Sequence, residues 1–229
     1  MRRWTRCSTD RHRFHVEFDA IRQNAGGVRR ARHSMTRDWT MRQVRHSVGA
    51  MSRRIHITGG SGSGTTTLGA HLAIALGIAH HDTDEFYWQP TDPGYTEKRP
   101  VPERLALMER MFLARPDWVL SGSLTGWGDP LIPRFDLVVR LTLSPETRLA
   151  RLIARERLRN GEAIAPGGPR EGSHRDFVRW ARRYDDADFA GRSLRRHTEW
   201  CAALPCPVLV LDSAAAPGAL VAQVRAALG

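Results

Sequence analysis

The sequence predicts an α/β protein, a three-layer α/β/α sandwich around a five-stranded parallel sheet, spanning about residues 52–229. Five short apolar runs alternate with amphipathic segments, the pattern of parallel strands joined by helical crossovers. The first run ends in a glycine-rich turn that leads straight into a helical pattern. Charge supports a separate folded part: residues 1–50 hold 12 Arg against 4 acids, so they carry +8 of the net +11, and the remainder is nearly balanced. The folded part therefore has no charge-based claim on a polyanionic partner.

The elements follow in order. Arg54–Thr58 alternates apolar residues and reads as the first strand. Leu68, His71, Leu72, Ile74, Ala75 and Leu76 give the next helix an apolar face, and Gly77 closes it. A short strand is expected at 78–84, then an irregular stretch punctuated by Pro90, Pro93, Pro100 and Pro102. A helix follows over 102–114, with Pro102 suited to its first turn. Residues 118–121 and 135–143 read as buried strands, and 145–159 as an Arg-laden amphipathic helix. After a Gly/Pro-rich loop at 160–172, one helix is expected over 173–203, a last strand at 207–211 and a closing helix at 217–228.

The chemistry concentrates in Gly59-Gly60-Ser61-Gly62-Ser63-Gly64-Thr65-Thr66-Thr67. Gly59-x4-Gly64-Thr65-Thr66 matches the phosphate-loop pattern G-x4-G-K-[ST] at every position except the lysine. The glycines let successive N–H groups turn inward around a phosphate, and the following helix adds its positive N-terminus. Thr66 stands where a hydroxyl holds Mg2+, and ATP is the expected nucleotide. The lysine's absence is costly: a cation about 4 Å from a phosphate charge is worth about 4 kcal/mol at an effective dielectric of about 20. Either an arginine from 151–159 or the metal ion takes over, or triphosphate binding is weakened.

Asp82 and Asp84, two apart at the end of the second strand, are expected to face the same way over the loop. Asp82 would hold Mg2+ and Asp84 would orient or deprotonate an acceptor hydroxyl; the alternative for both is N-capping in a solvated turn. Residues 85–100 mix Phe86, Tyr87, Trp88 and Tyr95 with Lys98 and Arg99, which suits a ring-bearing anionic acceptor, or simple local packing. Ser121 stands where an acidic metal-binding residue is usual, and Asp129 is a weak substitute. Arg148, Arg151 and Arg155 share one helix face, either as a solvated stripe or as phosphate ligands. His174, Arg175, Arg179, Arg182 and Arg183 extend a candidate lid over about 155–185, and Asp212-Ser213 lies after the last strand.

Taken together, Gly59–Thr67 with its helix, Asp82-Thr83-Asp84, Trp118–Ser123 and Phe135–Val139 with its Arg-rich helix resemble adenylate-kinase-related P-loop kinases. That group includes proteins described as adenylate kinase-like or topology-modulation-like. The resemblance covers nearly all of residues 53–229. It implies a sheet of nucleoside-monophosphate-kinase type, an acceptor-binding segment at about 85–117 and an Arg-bearing lid over the triphosphate. It also implies transfer of the ATP γ-phosphoryl to a small-molecule acceptor such as a nucleoside monophosphate. The loop further resembles archaeal-type cytidylate kinases, which read G-x-G-T-[ST]-T at this point, so the lysine is dispensable for some phosphoryl transfers.

Other classes also fit parts of the sequence. The loop fits a non-catalytic nucleotide-binding or regulatory protein as well as a kinase. Residues 1–51 read as a disordered Arg-rich extension: a transit peptide, a nucleic-acid-binding arm, or a stretch outside the working protein, with Met51 as a natural start. Cys7, Cys201 and Cys206 form neither a metal pattern nor an even disulfide set, which fits a reducing cytoplasm. No apolar run is long enough to span a membrane. A monomer or homodimer is expected.

Overall fold

Arg53–Gly59 forms β1, and its alternation divides two environments: Ile55 and Ile57 pack into an aliphatic cluster, while His56 stacks on Phe135 in an aromatic one. In the computed structural model, which describes residues 52–229, β1 is the middle of a parallel five-stranded sheet of order β2-β3-β1-β4-β5. The others are β2 (His80–Asp82), β3 (Asp117–Ser121), β4 (Leu137–Thr142) and β5 (Val208–Asp212). Ile55 pairs with Val119 on one side and Leu137 on the other, so the central strands are buried on both faces. The segment 1–51, with the start proposed at Met51 and any nucleic-acid arm, lies outside the described residues.

Helix α1 (Thr65–Leu76) and α7 (Pro217–Leu228) cover the aliphatic face. Gly77 ends α1 in the left-handed region at φ 67°, where its amide reaches the Ile74 carbonyl. The buried stripe of α1 is Leu68, Gly69, Leu72 and Ala73; His71, Ile74 and Ala75 face out, and Ile74 is 82% exposed. The expected stripe was therefore right at Leu68 and Leu72 and displaced at its outer members. On the other face lie α3 (Val101–Met108), which continues through a π-turn at Glu109–Leu113, and α6 (Leu194–Ala202). They bury Met108, Phe112, Leu113 and Cys201 against Trp118 and Phe135.

Two expectations are corrected here. The second strand stops at Asp82, and Thr83–Tyr87 forms a short helix, α2, whose N-cap is Asp82: its carboxylate accepts the Asp84 amide at 3.0 Å. Asp84 thus sits in a first helical turn rather than on a strand beside Asp82. The helix expected over 173–203 is two helices, α5 (Glu171–Arg182) and α6. A 3-10 turn at Arg183–Asp185 follows α5, burying Tyr184, and Ser193 restarts the helix by accepting the Arg196 amide at 3.3 Å. The long helix α4 (Pro145–Asn160) begins at Ser144, whose hydroxyl accepts the Thr147 amide. No helix among the described residues is long and apolar enough to cross a membrane.

Candidate active site

The glycine loop connects β1 to α1 at the carboxyl end of the sheet, where β1 and its neighbours leave a crevice. The Ser63 amide donates to the Gly60 carbonyl at 3.0 Å and closes the loop as a turn. The amides of Gly62, Gly64, Thr65 and Thr66 have no protein acceptor among the described residues, so they are free to meet an anion. Gly62 is indispensable to this shape: at φ 90°, a Cβ there would fall on the Arg148 carbonyl oxygen.

A polar chain lines the loop's mouth. The Thr66 hydroxyl donates to Asp82 Oδ2 at 2.6 Å, and the Ser121 hydroxyl donates to the same oxygen at 3.1 Å. Because that proton is committed, Ser121 Oγ accepts from His80 Nε2 at 2.9 Å, which fixes the imidazole tautomer. The expected acid is absent from β3, yet a carboxylate still stands beside Thr66, because the neighbouring strand β2 delivers it. Hydroxyl and carboxylate oxygens are the donor set that suits a small hard cation sharing its shell with water and phosphate. No group of three or more His, Cys, Asp or Glu with metal-site geometry occurs among the described residues. Asp129, the alternative acid, instead accepts the Trp200 indole N–H at 2.9 Å.

From this mouth a cleft of about 1750 Å3 runs past Asp84 to a chamber between α2, α3 and the loop after β3. Asp84 is reached by solvent but hemmed in by protein. Enclosure and the nearby Asp82 hold its carboxyl above the ordinary range, while Arg192, Arg155 and Arg159 draw it back down. At the chamber's far end the Arg104 guanidinium packs into the corner of two rings inclined at 64°, 3.8 Å from the Tyr87 ring centroid and 5.0 Å from that of Trp127. Its Nε donates to the Arg99 carbonyl at 2.6 Å, which holds the plane, and the residue borders the cleft. Gly122, at φ 116°, lets the β3 loop pass against Thr83, where a Cβ would collide with the threonine hydroxyl.

The arginines divide in a way the sequence did not reveal. Arg148 is buried, donating to the Ser61 carbonyl at 3.1 Å, to the Ala181 carbonyl and to Asp185 at 2.7 Å, so it braces the loop from behind. Arg151 lines the cleft and donates to the Ser213 carbonyl at 2.9 Å, tying α4 to the turn after β5. Arg155 also lines the cleft and pairs with Glu156 at 3.3 Å. Of the expected acceptor-side cations, Lys98 borders the cleft, whereas Arg99 is spent on the Glu85 and Phe86 carbonyls. In the segment expected to be a lid, His174 reaches the cleft; Arg175, Arg179 and Arg183 pair with Glu171, Asp176 and Asp186.

Sequence reasoning missed Arg104 and Arg192. Arg192 enters from the segment before α6: it donates to the Ser61 hydroxyl and lies over the Trp180 ring, 4.9 Å from its centroid. The only linear hint was an arginine directly ahead of a serine helix cap.

Comparison with known proteins gives one close relative. Over 162 residues the chain is 43% identical to the uncharacterized protein YqaC of Bacillus subtilis (strain 168), a match covering 71% of this chain and 89% of that protein. No family model matches. Among solved structures it is similar to a gluconokinase from Sinorhizobium meliloti 1021, at 19% identity and TM-score 0.44, over 77% of this chain and 91% of that one. It is also similar to a shikimate kinase from Bacteroides thetaiotaomicron, at 15% identity and TM-score 0.44, over 77% and 98%.

Proposed function

Because the chain belongs to the family of the uncharacterized Bacillus subtilis protein YqaC, its function rests on its own cleft, and we propose that it is a cytoplasmic ATP-dependent kinase acting on a small acceptor. The observation that carries the reading is the single cleft: an anion-binding loop at one end, an aromatic chamber holding Arg104 at the other, and Asp84 between them.

Gly59 to Thr67 cradle the triphosphate through backbone amides and the N-terminus of α1. Thr66 and Asp82 would hold Mg2+, which neutralises charge on the β- and γ-phosphates. Tyr87, Trp127 and Arg104 hold an acceptor that carries an anionic group, and Asp84 meets its hydroxyl. The bond from the β–γ bridging oxygen to the γ-phosphorus breaks, a bond from the acceptor oxygen forms, and the hydroxyl proton passes to Asp84. A carboxyl held above its ordinary range suits that task, since a stronger base takes the proton more readily. Were the acceptor a nucleoside monophosphate, its ionised phosphate would need no base, and Asp84 would only position it. Arg151 and Arg155 border the triphosphate from α4.

The test is a screen of phosphoryl acceptors with Mg-ATP, followed by Asp84→Asn. With a hydroxyl acceptor, turnover in the variant should fall about 100- to 10,000-fold while Mg-ATP affinity stays within about threefold. A protein that binds Mg-ATP yet phosphorylates nothing in a broad screen would instead be the nucleotide-binding regulator.

A further inference from the structure

Resting on the reading of the loop as a triphosphate site, we propose that Arg192 supplies the positive charge that the loop lacks at Thr65. The guanidinium touches the loop at its third residue, through the Ser61 hydroxyl, and borders the same cleft. It is pre-set rather than free. Ser193, fully buried, caps α6 and fixes the backbone beside it, and the Trp180 ring supports its plane from the lid helix α5. Arg192 Nε is enclosed without any hydrogen-bond partner, and no ion pair engages the side chain among the described residues.

Most of the competing cations are otherwise engaged, and Arg159, which also lines the cleft, makes no hydrogen bond to the loop among the described residues. Arg148 spends its terminal nitrogens on Ser61, Ala181 and Asp185, and Arg151 is bound to Ser213. Arg155 faces Glu156, and Lys98, the chain's one lysine, lies on the acceptor side, on the segment whose backbone bridges to Trp88. Arg192 alone among these combines contact with the loop, enclosure and an uncommitted charge. An ammonium at position 65 would approach the terminal phosphates from α1; the guanidinium approaches them from across the loop, on a segment continuous with the lid. Loop and lid then share one cation, and nucleotide binding draws α5 and the loop together.

Calorimetry on the full chain with Mg-ATP and Mg-ADP distinguishes this from a purely structural role. Arg192→Met should weaken Mg-ATP about a hundredfold and Mg-ADP only about threefold, since the charge acts on the terminal phosphoryl. Arg192→Lys should retain most of the ATP affinity, and adding Thr65→Lys to Arg192→Met should recover at least about tenfold of it, because charge at either place serves the same phosphate. Equal losses for both nucleotides with no recovery from Thr65→Lys would overturn the proposal and leave the kinase reading standing. A wild-type protein that binds neither nucleotide would end both.

Discussion

The two faces of the sheet are built from different materials. On one, Ile55, Ile57, Val119, Val139, Leu141 and their partners on α1 and α7 make a core of aliphatic side chains. On the other, Phe86, Phe112, Trp118 and Phe135 enclose polar groups: His56 is wholly buried, and His197 is buried between Tyr184 and Ser123. The aliphatic face anchors the helix that begins at the phosphate loop. The aromatic face carries the chamber proposed to take the acceptor. An apolar face of interchangeable side chains suits a fixed backbone cradle, whereas a chamber that recognises one acceptor needs aromatic planes and polar groups held in set orientations.

The largest effect should come from the donor side. Gly62→Ala forces a Cβ onto the Arg148 carbonyl oxygen at a φ of 90°, and neither the loop nor the buried Arg148 has room to move. It should cost about 4 kcal/mol of stability, from strain and overpacking together, and abolish Mg-ATP binding. Gly64→Ala is the control. Its φ is 89°, but nothing lies within 4 Å of a Cβ there, so only the left-handed strain remains, about 1–2 kcal/mol. Denaturant melts of both variants check this; equal destabilisation would mean that the contact with α4 does not set the loop's shape.

That contrast also explains what could be read in advance. The strands, the loop and the outline of α1, α4 and α7 were legible because each is written in one short contiguous stretch with its own periodicity. Asp82 ends β2 and meets the Thr66 hydroxyl, whereas Asp84 does not continue the strand: Asp82-Thr83-Asp84 fits a strand end and a helix cap equally well, and the buried Phe86 on α2 decides for the cap. Arg148 sat in a stripe with Arg151 and Arg155, and periodicity cannot tell that one member of a stripe points inward to brace a loop. Arg192 and Ser61 are 131 residues apart, and Arg104 depends on rings at 87 and 127. Contacts of that kind exist only after the chain has folded.

A smaller effect belongs to the aromatic face. His56 donates through Nδ1 to the Leu120 carbonyl, leaving Nε2 buried without a partner, and enclosure lowers its pKa to about 4. Burial, with Arg192 adding to it, lowers that of His197 to about 3. Both folded values lie below the unfolded value of about 6.5, so between these limits the unfolded chain binds more protons. The stability contribution is complete above about pH 6.5 and declines as the pH falls toward 4. Moving from pH 7 to pH 5 should remove about 2 kcal/mol per histidine. His56→Phe should show a shallower decline over that window in urea titrations; an unchanged slope would mean that the ring is not buried neutral.

The smallest effect is expected at Arg104 and tests the chamber itself. Lysine preserves the charge there but not the planar fork that packs against Tyr87 and Trp127 while Nε holds the Arg99 carbonyl. A flexible ammonium beside the two rings keeps part of the attraction to an anionic acceptor and loses the fork's two-point geometry. Arg104→Lys should therefore raise the acceptor KM about tenfold, equivalent to about 1.4 kcal/mol, with Mg-ATP affinity unchanged. Arg104→Met should raise it further by removing the charge. If the two variants raise KM equally, the planar fork and not the charge reads the acceptor; if neither changes it, the anionic group is bound elsewhere and Arg104 serves only to pack α3 against Tyr87 and Trp127.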